Sequence, residues 1–275
     1  MKKANIGIIG YGFVGRAVAH GFQGCNLIIA DPLLGTSTAD MVQTKEKFDA
    51  IFICVPTPMG SDGVIDASIV EKVLFELRYL ETLLVLKSTV VPDIVEKLAV
   101  RYTNFIYNPE FLTERNALRD FEWPIMHVFG GELEQTRKLE LLYIHASICN
   151  NDAPRFHMSA VEASFVKYTM NSFLTAKVLF FNQIEALCSK YGADYNTVRE
   201  AVTTDPRIAP GHTMVPGNDG RYGAGGSCFL KDTAAFSHFS DCKLTILDEV
   251  IRVNKIIRGG YSNLLEREIA QHVKL

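Results

Sequence analysis

No Cys-x-x-Cys pair occurs in this sequence. None of its six cysteines (Cys25, Cys54, Cys149, Cys188, Cys228, Cys242) falls with histidines at zinc-finger spacing. The usual sequence signs of a structural metal and of a disulfide scaffold are therefore missing, and free thiols in a reducing cytoplasm are expected. Basic excess is also missing: the net charge is -3, so no nucleic-acid partner is expected. No uninterrupted apolar run is long enough to cross a bilayer, and no membrane association is expected. The opening MKKANIGIIGYGFVG has no long apolar core of a signal peptide and is punctuated by glycines, as a strand and turn would be. Internal repeats and low-complexity tracts are lacking as well. What is present is 275 residues, 48% hydrophobic and 21% charged. That suits a globular protein with a substantial core and length enough for two domains.

The stretch NIGIIGYGFVGRAVAHGF places Gly10-x-Gly12-x-x-Gly15 between a short apolar strand and a helical pattern. Glycines at this spacing serve a tight turn, close approach to a pyrophosphate and close helix-strand packing. The helix start supplies unpaired N–H groups to phosphates. A second strand, NLIIAD, ends in Asp31, 16 positions after Gly15. This is near where a dinucleotide fingerprint places a carboxylate for the ribose 2′-hydroxyl, and a carboxylate there repels a 2′-phosphate. NAD is therefore expected over NADP. The competing reading is a glycine turn that binds nothing.

Near-continuous apolar runs follow at AIFICVPTP and TLLVLKSTVVP, with further candidate strands at NFIYNPEF and IMHVFGG, and helical patterns such as SIVEKVLFELRYL between them. Runs of this kind belong to parallel strands covered on both faces, and their alternation with helices predicts a Rossmann-like doubly wound α/β sheet. Ligands of such sheets sit at the carboxyl ends of the strands. Thr57, Thr89, Glu110 and Glu114 fall at such ends. For the threonines, turn or helix-cap roles compete with ligand contact.

From about Ser159 to Gly192 the chain has no proline or internal glycine and is mostly apolar at helical spacing. This predicts a long central helix in a second, helical domain, apolar on most sides and buried in part by a second subunit. The expected domains are 1–158 and 159–275. Lys167 and Asn171, four apart, share one face of that helix. From the residues alone they read first as a surface stripe, with two donors aimed at a ligand oxygen as the alternative. Cys228, in GGSCFLKD, reads as a small residue in a turn or as a thiol that a nearby lysine favours as thiolate.

Taken together and in this order, GYGFVG, CVPTP, STVVP, NPEFLTERNALRDF, VKYTMNSFLTAKVLFFN, DPRIAPGH and GGSCFLKD resemble the nucleotide-sugar 6-dehydrogenases, the group of UDP-glucose and GDP-mannose dehydrogenases. The resemblance runs from Ile6 to about Asp232. It implies that Cys228 is a catalytic nucleophile and that Lys167 and Asn171 hold oxyanions. It assigns Asp232 and Thr89 to water, Glu114 to acid/base work, and Glu110 to the substrate site beside it. By the same resemblance Gly10, Gly12, Phe13, Val14, Gly15, Asp31, Thr57, Thr89 and Lys231 form the cofactor set. Gly225 joins the substrate set, and Arg207 reaches the sugar site of the neighbouring subunit of a homodimer. The implied reaction takes a primary alcohol to a carboxylate in two oxidations. A thiolate adds to the intermediate aldehyde and gives a thiohemiacetal that can be oxidised to a thioester.

The chain departs from that group in three respects. Only 43 residues follow Asp232, and the FKxxTxDxR signature of the group's nucleotide-binding third domain is absent. Ala224 stands where relatives carry an aromatic residue. Phe229-Leu230 lacks the usual proline before the lysine. A nucleotide sugar, a smaller hydroxy substrate, and a non-catalytic NAD-binding partner role are the readings these departures leave.

Overall fold

The computed structural model describes residues 3–44, 46–60, 63–261 and 263–273. They form two compact units, Met1–Thr57 with Asp66–Lys167, and Pro58–Ile65 with Tyr168–Leu275.

The first unit is built on seven strands, β1 (Asn5–Ile9), β2 (Asn26–Ala30), β3 (Ala50–Ile53), β4 (Leu83–Leu86), β5 (Phe105–Tyr107), β6 (His127–Gly130) and β7 (Arg155–Met158). Their order is β2-β1-β3-β4-β5-β6-β7. The first five are mutually parallel, β6 runs antiparallel to β5, and β7 is parallel to β6. Helices α1 (Phe13–Gly21), α2 (Thr38–Gln43), α3 (Ser68–Leu77), α4 (Pro92–Arg101), α5 (Ala117–Glu122) and α6 (Leu133–Ala146) intervene. The sequence expectation of a doubly wound sheet holds. Every residue of β3 and β4 is buried, as strands covered on both faces require. Phe22, Phe52, Phe121, Phe129 and Tyr143 pack as an aromatic cluster on the sheet, with ring centroids 5.2–6.3 Å apart in the pairs that touch.

The chain leaves β1 for β2 on one side and returns to β3 on the other. This reversal opens the crevice where doubly wound sheets hold ligands. The glycine turn follows β1, and Thr57 lies beyond β3 at the same end.

Helix α7 (Ala160–Lys190) runs unbroken for 31 residues. A capping box starts it: the Ser159 hydroxyl accepts the Glu162 N–H at 3.2 Å, and the Glu162 carboxylate accepts the Ser159 N–H at 2.7 Å. The second unit continues with α8 (Tyr195–Thr203), α9 (Ser227–Phe239), α10 (Thr245–Arg258) and α11 (Glu266–Ala270). Among the described residues no helix is long and apolar enough to cross a membrane.

Candidate functional site

In the first unit Gly10 has φ +88°, and a Cβ there would lie 2.6 Å from the Cys54 carbonyl oxygen. A Cβ at Gly15 would lie 2.0 Å from the Gly10 carbonyl oxygen, so α1 can start this close to the turn only with glycine there. Gly12, the N-cap of α1, has open space where its Cβ would be. The first turn of α1 carries no acidic residue and no side-chain cap. An uncapped helix start with clear space before it is a seat for a phosphate. Phe13 and Val14 open that helix, half-buried.

Asp31 closes β2 and is buried. One carboxylate oxygen accepts the Leu33 N–H at 2.8 Å and the other the Tyr11 N–H at 2.6 Å. The fingerprint carboxylate is thereby fixed to the glycine turn itself. The Thr57 hydroxyl donates to the Thr89 carbonyl at 3.0 Å, and the Ser88 hydroxyl donates to the Val55 carbonyl at 2.6 Å. These bonds tie together the loops that follow β3 and β4.

Lys167, buried on α7, donates from Nζ to the Glu110 carbonyl at 2.6 Å and to Glu110 Oε1 at 3.2 Å. Glu110 Oε2 accepts the Leu112 N–H at 2.7 Å. Glu114 stands elsewhere. It is exposed at the start of a 3-10 turn and lines a cavity of about 750 Å³ with Tyr11, Phe13, Arg16, His20 and Arg115. Of the two glutamates, Glu110 meets the lysine and Glu114 faces the glycine turn.

Behind this group lies Lys87, which sequence reasoning did not single out. It is buried just past β4 and donates to Asn108 Oδ1 at 3.1 Å, an oxygen that also accepts the Tyr143 hydroxyl at 2.9 Å. Burial lowers its ammonium to about 8, against the opposing charges of Cys54 and Glu110. Burial likewise pushes the Cys54 thiol up to about 12. The only sequence signal was a lysine ending an apolar run, in LLVLKS.

In the second unit Cys228 is the second residue of α9, behind the Gly226 N-cap. The positive end of a helix favours a thiolate. Lys231 and Asp232 follow three and four residues on, over the same face. Asp232 is fully buried and takes two bonds, Asn171 Nδ2 to Oδ2 and Lys231 Nζ to Oδ1, both 2.6 Å. Lys231 is thus ion-paired with Asp232. Arg207 is exposed and grips Asp205 through Nε and Nη2 at 2.6–3.1 Å. The two residues after it are held by Lys177, whose Nζ donates to the Ile208 and Ala209 carbonyls at 2.6 and 3.0 Å. Among the described residues no group of His, Cys, Asp and Glu is placed to hold a metal.

A doubly wound sheet with an open, glycine-lined helix start and a carboxylate at the end of the second strand defines a dinucleotide-binding protein. Two family descriptions match the chain: the UDP-glucose/GDP-mannose dehydrogenase family NAD binding domain over residues 33–147, and its central domain over residues 161–256. A UDP-glucose dehydrogenase structure from the hyperthermophilic archaeon Pyrobaculum islandicum superposes with TM-score 0.78 at 30% identity, over 92% of this chain and 68% of that one. UDP-glucose 6-dehydrogenases of Rickettsia bellii (34% identical) and Rickettsia prowazekii (36% identical) align with 75% and 76% of the chain and with 49% and 50% of their own lengths. The chain belongs to the UDP-glucose/GDP-mannose dehydrogenase family, with NAD as its cofactor. It spans about half the length of the curated relatives it matches.

Proposed function

We propose that this chain acts as an NAD-dependent dehydrogenase that oxidises a primary alcohol of a nucleotide sugar to the carboxylate. Residues 1–158 serve the cofactor and 159–275 carry the nucleophile. The observation that carries the reading is Cys228 at the start of α9, with Lys231 and Asp232 one turn on and Asn171 bonded to Asp232. Bound NAD supplies the acceptor for a hydride in each of the two oxidations.

In the first oxidation the alcohol loses its hydroxyl proton to Glu114 or to water held by Asp232 and Thr89, and an aldehyde forms. The Cys228 thiolate then adds to the aldehyde carbon, making a C–S bond and an oxyanion. Lys167 and Asn171 hold that oxyanion; an amide nitrogen carries two hydrogens, so Asn171 can serve Asp232 and the substrate together. The second oxidation turns the thiohemiacetal into a thioester. Water adds to the thioester carbon, the C–S bond breaks, and the carboxylate leaves with the thiolate restored. Glu110 and the Gly225 backbone border the substrate. Arg207 contributes to a neighbouring subunit's sugar site within a homodimer of cytoplasmic location.

The test is NADH production by the chain across UDP-glucose, GDP-mannose and simple hydroxy acids. Turnover of a nucleotide sugar supports the reading. Turnover of a hydroxy acid alone moves the substrate class, and NAD binding without turnover of any of them overturns catalysis.

A further inference from the structure

The loop before Cys228 is held by buried polar side chains from three elements of the second unit, α7, α10 and α11. Asn182 Oδ1 of α7 accepts the Gly223 N–H at 2.8 Å. Asn254 of α10 accepts the Ala224 N–H at 2.9 Å and donates to the Ala224 carbonyl at 3.0 Å. Glu268 Oε1 of α11 accepts the Gly226 N–H at 3.2 Å, while Oε2 accepts the Leu265 N–H at 2.8 Å. Arg258, at the end of α10, supplies the cation: Nη2 donates to Glu268 Oε1 at 2.9 Å and Nη1 to Asp219 Oδ2 at 2.7 Å. Arg258 and Glu268 are both fully buried. Gly225 passes directly over the guanidinium, where a Cβ would lie 2.1 Å from Arg258 Nη2. That glycine is therefore required by an arginine of the protein's own core.

A buried ion pair is weak evidence for stability, because desolvation offsets much of the attraction, and apolar replacements of similar volume are often no worse. What this pair does contribute is geometric. Gly226 is the N-cap of α9 and Cys228 stands two residues later, so a contact on the Gly226 amide fixes where the thiol meets the helix terminus. The charge arrangement is matched to that position. A lone carboxylate beside a helix N-terminus would compete with a thiolate for the same positive end; Arg258 offsets part of that competition, its single charge being shared between Glu268 and Asp219. Both residues lie beyond 256, where the match to the family's central domain stops.

We propose that Glu268 is a positioning residue for Cys228, acting through the Gly226 amide with Arg258 as its counter-ion. This rests on Cys228 being the nucleophile of the reaction proposed above.

Two conservative variants of the full chain separate positioning from charge balance. Glu268→Gln keeps an oxygen for Gly226 and Arg258, at the expense of the Leu265 contact, and loses the charge. Glu268→Asp keeps the charge but is one methylene too short to reach Gly226. The readout is the alkylation rate of Cys228 by iodoacetamide, followed on its own peptide by mass spectrometry, alongside kcat and KM. Positioning predicts that the Gln variant stays within about twofold of the parent, while the Asp variant loses about tenfold in alkylation and in kcat with KM for NAD unchanged. The reverse order, equal losses, or no loss in either variant overturns the proposal. Because alkylation needs no substrate, the order of the two variants is decided even if the chain turns over no nucleotide sugar.

Discussion

The Asp31 carboxylate accepts the Tyr11 amide at 2.6 Å, so the second strand of the sheet and the glycine turn after the first are joined by one side chain. The acid that is expected to read the ribose also shapes the loop that is expected to seat the pyrophosphate. Asp31→Asn can keep only one of the two backbone bonds, since one end of the amide is itself a donor. It also removes the charge that repels a 2′-phosphate. A lost hydrogen bond to a charged group is worth about 1.5–3 kcal/mol. NAD affinity should therefore fall by roughly tenfold or more, and the NAD-to-NADP preference should shrink. Calorimetric titration with both cofactors checks this. An unchanged preference would show that Asp31 serves only the turn.

Replacing Cys228 with serine should stop the second oxidation far more than the first, because only the second requires a covalent adduct. The parent should form two NADH per alcohol consumed; the variant should form one and release aldehyde. Single-turnover experiments started from alcohol and from aldehyde separate the steps. Acid formed at the parent rate would make Cys228 a structural residue.

Lys87 carries a pH prediction. Its ammonium titrates near 8 in the fold because it is buried, against about 10.4 in an unfolded chain. Between those values the unfolded state binds more protons, so stability rises with pH, by at most about 1.4 kcal/mol per unit. Cys54 opposes this from about pH 9 upward, since its folded-state value is raised to about 12 and its proton is retained. The net gain should be confined to roughly pH 8–9. Denaturant midpoints measured between pH 7 and 9 should climb in the parent and stay level or fall in Lys87→Met. Parallel pH profiles in the two proteins would remove Lys87 as the cause.

Local pattern made the parallel sheet readable. AIFI and LLVL are apolar without interruption because both their faces are covered, and NIGII announces the turn that follows it. The same logic explains what was missed. β7 is RFHM, only partly buried and half polar, and nothing in it resembles the inner strands. The reversed direction of β6 is set by its partners, not by HVFG itself. GGSCFLKD could be marked as chemistry, with LKD as company for the thiol because helical spacing brings those residues near it; VKYTMN could be joined to it only through the family resemblance. Arg258 and Glu268 could not be marked. They stand 30 and 40 residues beyond Cys228, and without the fold their charges resemble those of any exposed helix.

The outer face of α7 yields the last prediction. Phe173, Phe180 and Leu187 are spaced seven residues apart and are 65%, 58% and 51% exposed. Residues at that spacing line up along one side of a helix, so three large apolar side chains form a continuous stripe. Covering each would stabilise an association by about 1.5–3 kcal/mol, enough in sum to offset part of the entropy lost on pairing. We expect two copies of the chain to cover this stripe together. Phe180→Glu would bury a charge at its centre, which is costly without a partner. Light scattering at micromolar concentration should show a dimer for the parent and a monomer for Phe180→Glu, with circular dichroism unchanged. A monomeric parent, or a variant that remains dimeric, would place the contact between subunits on another surface.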